Sequence, residues 1–282
     1  MKIDIPEPTN QSLRLGTCSW KFDSWKGLYY EPGKNYRPDD YLPDYARHLN
    51  SVEIDQWFWS LFPGGAKLPE QRVVKSYAAG VPDDFIFTVK APNSLTLTHF
   101  YSKPSGGHGD FAGKPNPHFL SNQLLDQFLE RLASKMPSKE VFFERIGEFI
   151  VRAPKGFQYA LETRNPNYLS SAFFQFLKEN HLGFVYLEGY YMPPIGEVFA
   201  RYKPVTADFS IIRLHGGDRL EMETETGSVW DKIASPKPEG IEAAVRIVRH
   251  NIKRKILTFV NVNNHFEGSA PLSIERFVKA LE

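Results

Sequence analysis

Hydrophobic positions along the chain follow two alternating rhythms. Short runs rich in β-branched and aromatic residues recur, and most are followed by a stretch whose apolar residues return every three or four positions. The strand-like runs cover residues 13–20, 51–55, 85–90, 157–162, 184–188, 209–215 and 256–261. Helical spacing appears in Tyr41, Leu42, Tyr45, Ala46 and Leu49, where Asp39 or Asp40 is placed to cap the first turn. It returns in Leu124, Leu125, Phe128, Leu129 and Leu132, then in Phe142, Phe143, Ile146, Phe149 and Ile150. Phe173, Phe176 and Leu177 follow, then Ile241, Ala244, Val245, Val248 and Ile252. Ile274, Phe277, Val278 and Leu281 form a closing helix.

Strand and helix in alternation predict a parallel sheet covered by helices. Two observations favour a TIM-like (β/α)8 barrel over an open doubly wound sheet. A chain of 282 residues suits one such domain spanning residues 1–282. Polar residues also stand at the carboxyl end of nearly every strand-like run: Glu53, Lys90, Glu162, Glu188, His215 and Asn261. A barrel gathers its site from all round the rim, whereas an open sheet concentrates it at one switch point. No Gly-x-Gly-x-x-Gly follows the first run, which argues against dinucleotide binding. The runs number seven rather than eight, and the fourth strand is unclear or missing between about Leu132 and Glu140.

Composition narrows the partners. Lysine plus arginine is 34 and aspartate plus glutamate 33, a net +1, which disfavours a general nucleic-acid coat. Cys18 is the sole cysteine, so no disulfide forms within the chain. The first residues lack the basic and apolar segments of a secretory signal. No apolar stretch reaches the roughly 20 residues of a membrane span. A cytoplasmic protein without a membrane partner is expected. Lys253, Arg254 and Lys255 read as the solvated end of a helix. The loop over residues 93–120, with Ser105-Gly106-Gly107-His108-Gly109, is long enough to act as a lid.

Several motifs are more specific. Gly16-Thr17-Cys18-Ser19-Trp20, Val52-Glu53-Ile54-Asp55 with Phe58 and Trp59, and Phe87-Thr88-Val89-Lys90-Ala91-Pro92 with Thr98-His99 occur in order. Glu162-Thr163-Arg164, Arg213-Leu214-His215-Gly216 and Asn263-Asn264-His265 with Gly268 and Ala270-Pro271 follow. Together they resemble the YecE-like family of unknown function (domain of unknown function 72), from about Leu13 to the carboxyl terminus. The resemblance implies a TIM-barrel-like fold and no settled activity. The chain departs from the family's pattern at Cys18, Asp55, Trp59 and Tyr168, and it lacks an apolar strand ending in Phe-Pro between the third and fifth strands.

Among side chains that carry chemistry, Glu53 and Glu162 are strand-end carboxylates able to divide acid and base work, or buried anchors for Arg164 or Arg213. Lys90 suits a Schiff base, an anion or an ion pair with Glu53. His215 is a general acid–base candidate, and Arg164 and Arg213 offer planar forks for an anion. Asn261, Asn263 and Asn264 orient ligand hydroxyls or close turns. Trp20 with its aromatic neighbours forms a stacking wall or core, and His99 lies on a loop at the same face. No Cys-x-x-Cys or His-x-x-x-His spacing exists, so a divalent metal is not the expectation and no metal ligands are assigned. The expected function is an enzyme of hydrolase, lyase or isomerase type. It acts on a small polar anionic substrate at the carboxyl ends of the strands, with catalytic Glu53, Glu162, His215 and Lys90. The alternatives are a metal-dependent nucleic-acid-processing or nucleic-acid-binding barrel, and a ligand-binding barrel without catalysis.

Overall fold

The computed structural model describes residues 12–102, 109–132, 152–154 and 156–282. The strand sought near residues 132–140, the helix of Phe142 to Ile150 and the glycines at 106 and 107 lie outside the described residues, apart from Leu132 itself. The strands are β1 (Leu13–Thr17), β2 (Ser51–Ile54), β3 (Leu61–Phe62), β4 (Gly65–Ala66), β5 (Ile86–Val89), β6 (Ala160–Leu161), β7 (Gly183–Gly189), β8 (Phe209–Gly216) and β9 (Leu257–Val262). The helices are α1 (Tyr41–Tyr45), α2 (Gln71–Ala79), α3 (Asn93–Thr96), α4 (Asn122–Leu132), α5 (Ser171–Glu179), α6 (Ile195–Tyr202), α7 (Arg219–Thr226), α8 (Pro238–Ile252), α9 (Asn264–Glu267) and α10 (Ala270–Leu281).

The fold is α/β, with parallel strands in the main sheet and an antiparallel hairpin of β3 and β4. The chain divides into two compact units. The first takes Met1–Glu53, Gly80–Phe87 and Ala160–Glu282, and the second Ile54–Ala79 with Thr88–Tyr159.

In the first unit, five parallel strands run in the order β1-β9-β8-β7-β6. Tyr186, Leu187, Ile212, Leu214, Val260 and Val262 are all buried. Burial on successive positions of one strand means that both faces are covered, as in parallel sheets flanked by helices. Beyond β1 the parallel direction continues through an isolated bridge from Cys18 to Glu53 at β2.

The helices bury the stripes their spacing predicts. α8 starts at Pro238, where a missing N–H costs nothing, and buries Ile241, Ala244, Val245 and Val248. α10 likewise buries Ile274 and Phe277. α1 is shorter than its apolar spacing suggests. Asp40 does not cap it. Its carboxylate instead turns back to accept from the Arg37 backbone N–H and guanidinium. The run expected over residues 157–162 pairs only at Ala160 and Leu161. Among the described residues no helix is long and apolar enough to cross a membrane.

Candidate functional site

The first unit collects buried ionisable groups at the carboxyl ends of its strands. Arg213, on β8, is register partner of Asn261 on β9 and of Leu187 on β7. Its side chain is 7% exposed, and its fork grips both oxygens of Glu53, with Nε and Nη2 each 2.7 Å from an oxygen. The remaining terminal nitrogen, Nη1, donates to Glu162 Oε2. Cys18 Sγ lies 3.7 Å from Nη2, and Asn261 Nδ2 donates to Glu53 Oε2 at 3.5 Å. A guanidinium buried among two carboxylates keeps its proton firmly, because loss of charge would strand both anions.

Glu162 extends this chain. Its Oε1 accepts from Arg164 Nε at 2.8 Å. Burial alone would raise its pKa, but Arg213 and Arg164 together outweigh burial and hold it at about 2. The Arg164 guanidinium carbon lies 4.2 Å from the centre of the Tyr190 ring, in cation–π contact. Tyr190 stacks obliquely on His215, ring centres 4.6 Å apart, and its hydroxyl is 3.2 Å from His215 Nε2. Burial, seconded by Arg213 and Arg164, pushes His215 down to about 3, so the imidazole is neutral at ordinary pH. Its Nδ1 is buried and has no hydrogen-bond partner among the described residues.

The backbone explains how Tyr190 reaches this position. The register of β7 and β8 shifts at Glu188 and Gly189, so that Gly189 faces Gly216. Both glycines take positive φ, and a Cβ on Gly189 would fall 2.0 Å from the Gly216 carbonyl oxygen. Side chains cannot occupy that crossing. Tyr190 N–H donates to the Gly216 carbonyl at 3.0 Å, which turns the phenol onto His215.

The asparagines serve mainly as caps. Asn263 accepts from His265 N–H at 2.9 Å and contacts His265 Nδ1 at 2.6 Å. Asn264 is buried and accepts from Ala270 N–H at the start of α10. His265 in turn reaches Glu223 of α7. Trp20 is fully buried, with its carbonyl accepting from Tyr30 OH, so its indole lies in the core rather than on a surface that a ligand can reach. Lys90 and His99 belong to the second unit. There, Lys90 Nζ lies 3.8 Å from the Phe58 ring centre, and exposed His99 contacts Thr98 Oγ1. Sequence reasoning assigned no role to Tyr190. Its signal was the Glu188-Gly189-Tyr190 run, where a glycine at a strand end lets the chain turn and lay the next side chain over the end of the neighbouring strand. Among the described residues no group of three or more His, Cys, Asp or Glu side chains is arranged to hold a metal ion.

A family model described as "Protein of unknown function DUF72" matches residues 14–282. The chain belongs to the DUF72 family. Among solved structures, a DUF72 family protein from Enterococcus faecalis V583 is 20% identical, with 95% of each chain covered and a TM-score of 0.63. A second crystal structure of a DUF72 protein from that organism gives 19% identity, a TM-score of 0.60, and coverage of 95% of this chain and 97% of that one. A DUF72 family protein from Thermotoga maritima MSB8 is 21% identical over 95% of this chain and 98% of that chain, with a TM-score of 0.60. These likenesses carry the DUF72 fold, and the family model covers every residue of the Glu53–Arg213–Glu162–Arg164 chain. No curated protein matches the chain.

Proposed function

We propose that this protein is an enzyme acting on a small polar anionic substrate at the carboxyl ends of its parallel strands, with His215 and Tyr190 handling the proton. The observation that carries the reading is His215 itself. It is a half-buried neutral imidazole, with one nitrogen on a phenol and the other, itself shielded from water, without a partner among the described residues. A buried polar atom left unpaired is costly, and such groups gather where a ligand completes them. The neutral imidazole takes a proton from the substrate transiently and returns it to the product. Glu53 positions Arg213, and Arg213 positions Glu162. A (β/α)8 barrel in one domain is part of the proposal. It is supported by chain-order parallel pairing through β6, β7, β8, β9 and β1, and by the bridge from β1 to β2.

Turnover of a pool of small anionic metabolites tests the reading. His215→Gln should lower turnover by roughly 100-fold or more while the melting temperature stays within a few degrees. Tyr190→Phe should retain part of the activity. Full turnover by His215→Gln ends the proposal. The ion-paired state of both Glu53 and Glu162 favours a second reading, a binding protein without catalysis. Saturable binding without turnover of any bound compound would select it.

A further inference from the structure

The ion pairs end asymmetrically. Glu53 grips Arg213, Arg213 holds Glu162, and Glu162 holds Arg164 through Nε alone. Among the described residues, neither terminal nitrogen of Arg164 has a hydrogen-bond partner, and its side chain is 43% exposed. Yet the guanidinium is fixed twice, by the Glu162 oxygen behind it and by the Tyr190 ring against its face. A rigid, half-exposed fork with its outer edge uncommitted is a recognition element made in advance of its ligand.

We propose that Arg164 is the anion-recognition residue of this site and that the anion is a carboxylate, so that the substrate is a small monocarboxylic acid. This rests on the reading of the strand ends as a substrate site. The planar fork matches the two oxygens of a carboxylate. Charge count separates carboxylate from phosphate. Arg213 and Arg164 are balanced by Glu53 and Glu162, so a bound monoanion leaves the group one negative charge in excess and a dianion leaves two. A monoanion spanning the two free N–H groups suits it.

A consequence follows for His215. The charged or titratable groups around it are Arg213 on its own strand, Arg164 and Glu162 beyond β6, His265 on α9 and the Tyr190 hydroxyl. A carboxylate on Arg164 offsets one of the two cations that oppose the imidazolium. Burial, the larger cause of the low His215 pKa, is unchanged by binding, so the imidazole stays neutral in the complex at ordinary pH.

Titration calorimetry on the full chain, with acetate, glycolate and benzoate as probes and inorganic phosphate for comparison, tests this. At least one carboxylate should saturate the native protein. Arg164→Lys keeps the charge and loses the fork, and should weaken that carboxylate about tenfold or more without changing the circular dichroism spectrum. The inference is overturned if Arg164→Lys binds as the native protein does, if phosphate binds and no carboxylate does, or if no carboxylate binds at tens of millimolar. Carboxylate binding that depends on Arg164 without any turnover ends the enzyme reading and leaves this one standing. Turnover that depends on His215 without carboxylate preference does the reverse.

Discussion

Arg213 is the residue on which the others depend. It satisfies Glu53 at both oxygens and Glu162 at one, all where water has little access. Removing one partner of a buried ion pair costs more than the pair contributes, because the survivor keeps its desolvation penalty. Arg213→Ala should therefore lower unfolding free energy by about 3–5 kcal/mol, read from the urea midpoint. A loss below about 1 kcal/mol would show that water reaches Glu53 and Glu162 freely. The sequence left Arg213 open between ligand fork and internal anchor, and the geometry commits its hydrogen bonds to Glu53 and Glu162. Arg164, read from sequence in the same terms, emerges with a different role because only its Nε is engaged.

At the level of elements, the meeting of β7 and β8 decides how the site is aimed. Gly216 sits at φ 89°, and a Cβ there would lie 2.1 Å from the His265 carbonyl oxygen. Backbone rather than a flexible side chain opposes the added atom, so relief requires moving α9 or the end of β8. Gly216→Ala should cost at least about 2 kcal/mol in urea unfolding and should shift the Tyr190 and His215 resonances together. An unperturbed pair of rings would mean that the crossing is not what orients them. The strong patterns of β7, β8, β9, α8 and α10 were readable because apolar periodicity is a local property of the chain. The hairpin of β3 and β4 and helices α2, α3, α6, α7 and α9 were not read from the sequence. α7, Arg219 to Thr226, buries only Met222 and Thr226, too little for an apolar stripe. It is instead started by Asp218, whose carboxylate accepts from Leu220 and Glu221 N–H. The strand-end charges Glu53, Glu162, Arg213 and His215 could be placed from pattern alone. Which of them pair depends on register from β8 through β7 to β6 and through β9 and β1 to β2, and register is not written in any one segment.

For the whole molecule, these groups set how stability responds to acid. Glu162 titrates at 4.5 when unperturbed and about 2 in the fold. The unfolded chain therefore takes up this proton before the native state does, and unfolding becomes easier as pH falls from 4.5 toward 2. Above 4.5 the stabilisation is fully present, and the interval corresponds to roughly 3 kcal/mol. His215 acts in the same direction over a higher window. Its proton binds at 6.5 in the unfolded chain and at about 3 in the native one, so stability also declines as pH falls below 6.5. The two windows overlap but begin two units apart, which makes them separable by substitution. Urea unfolding of the native protein should show stability falling from about pH 6.5 downward and more steeply below 4.5. His215→Gln should reduce the decline between 6.5 and 4.5, leaving the part that His250 and His265, also held below their ordinary value, contribute, and should keep the lower one. Glu162→Gln should reduce the slope of the lower window, the remainder belonging to Asp23, Asp40, Asp44 and Glu223, at the cost of a weaker hold on Arg213 and Arg164 at every pH. Equal slopes in native protein and His215→Gln between those limits would mean that the imidazole meets solvent freely in the native state, and with that its role as a shielded proton carrier would be lost.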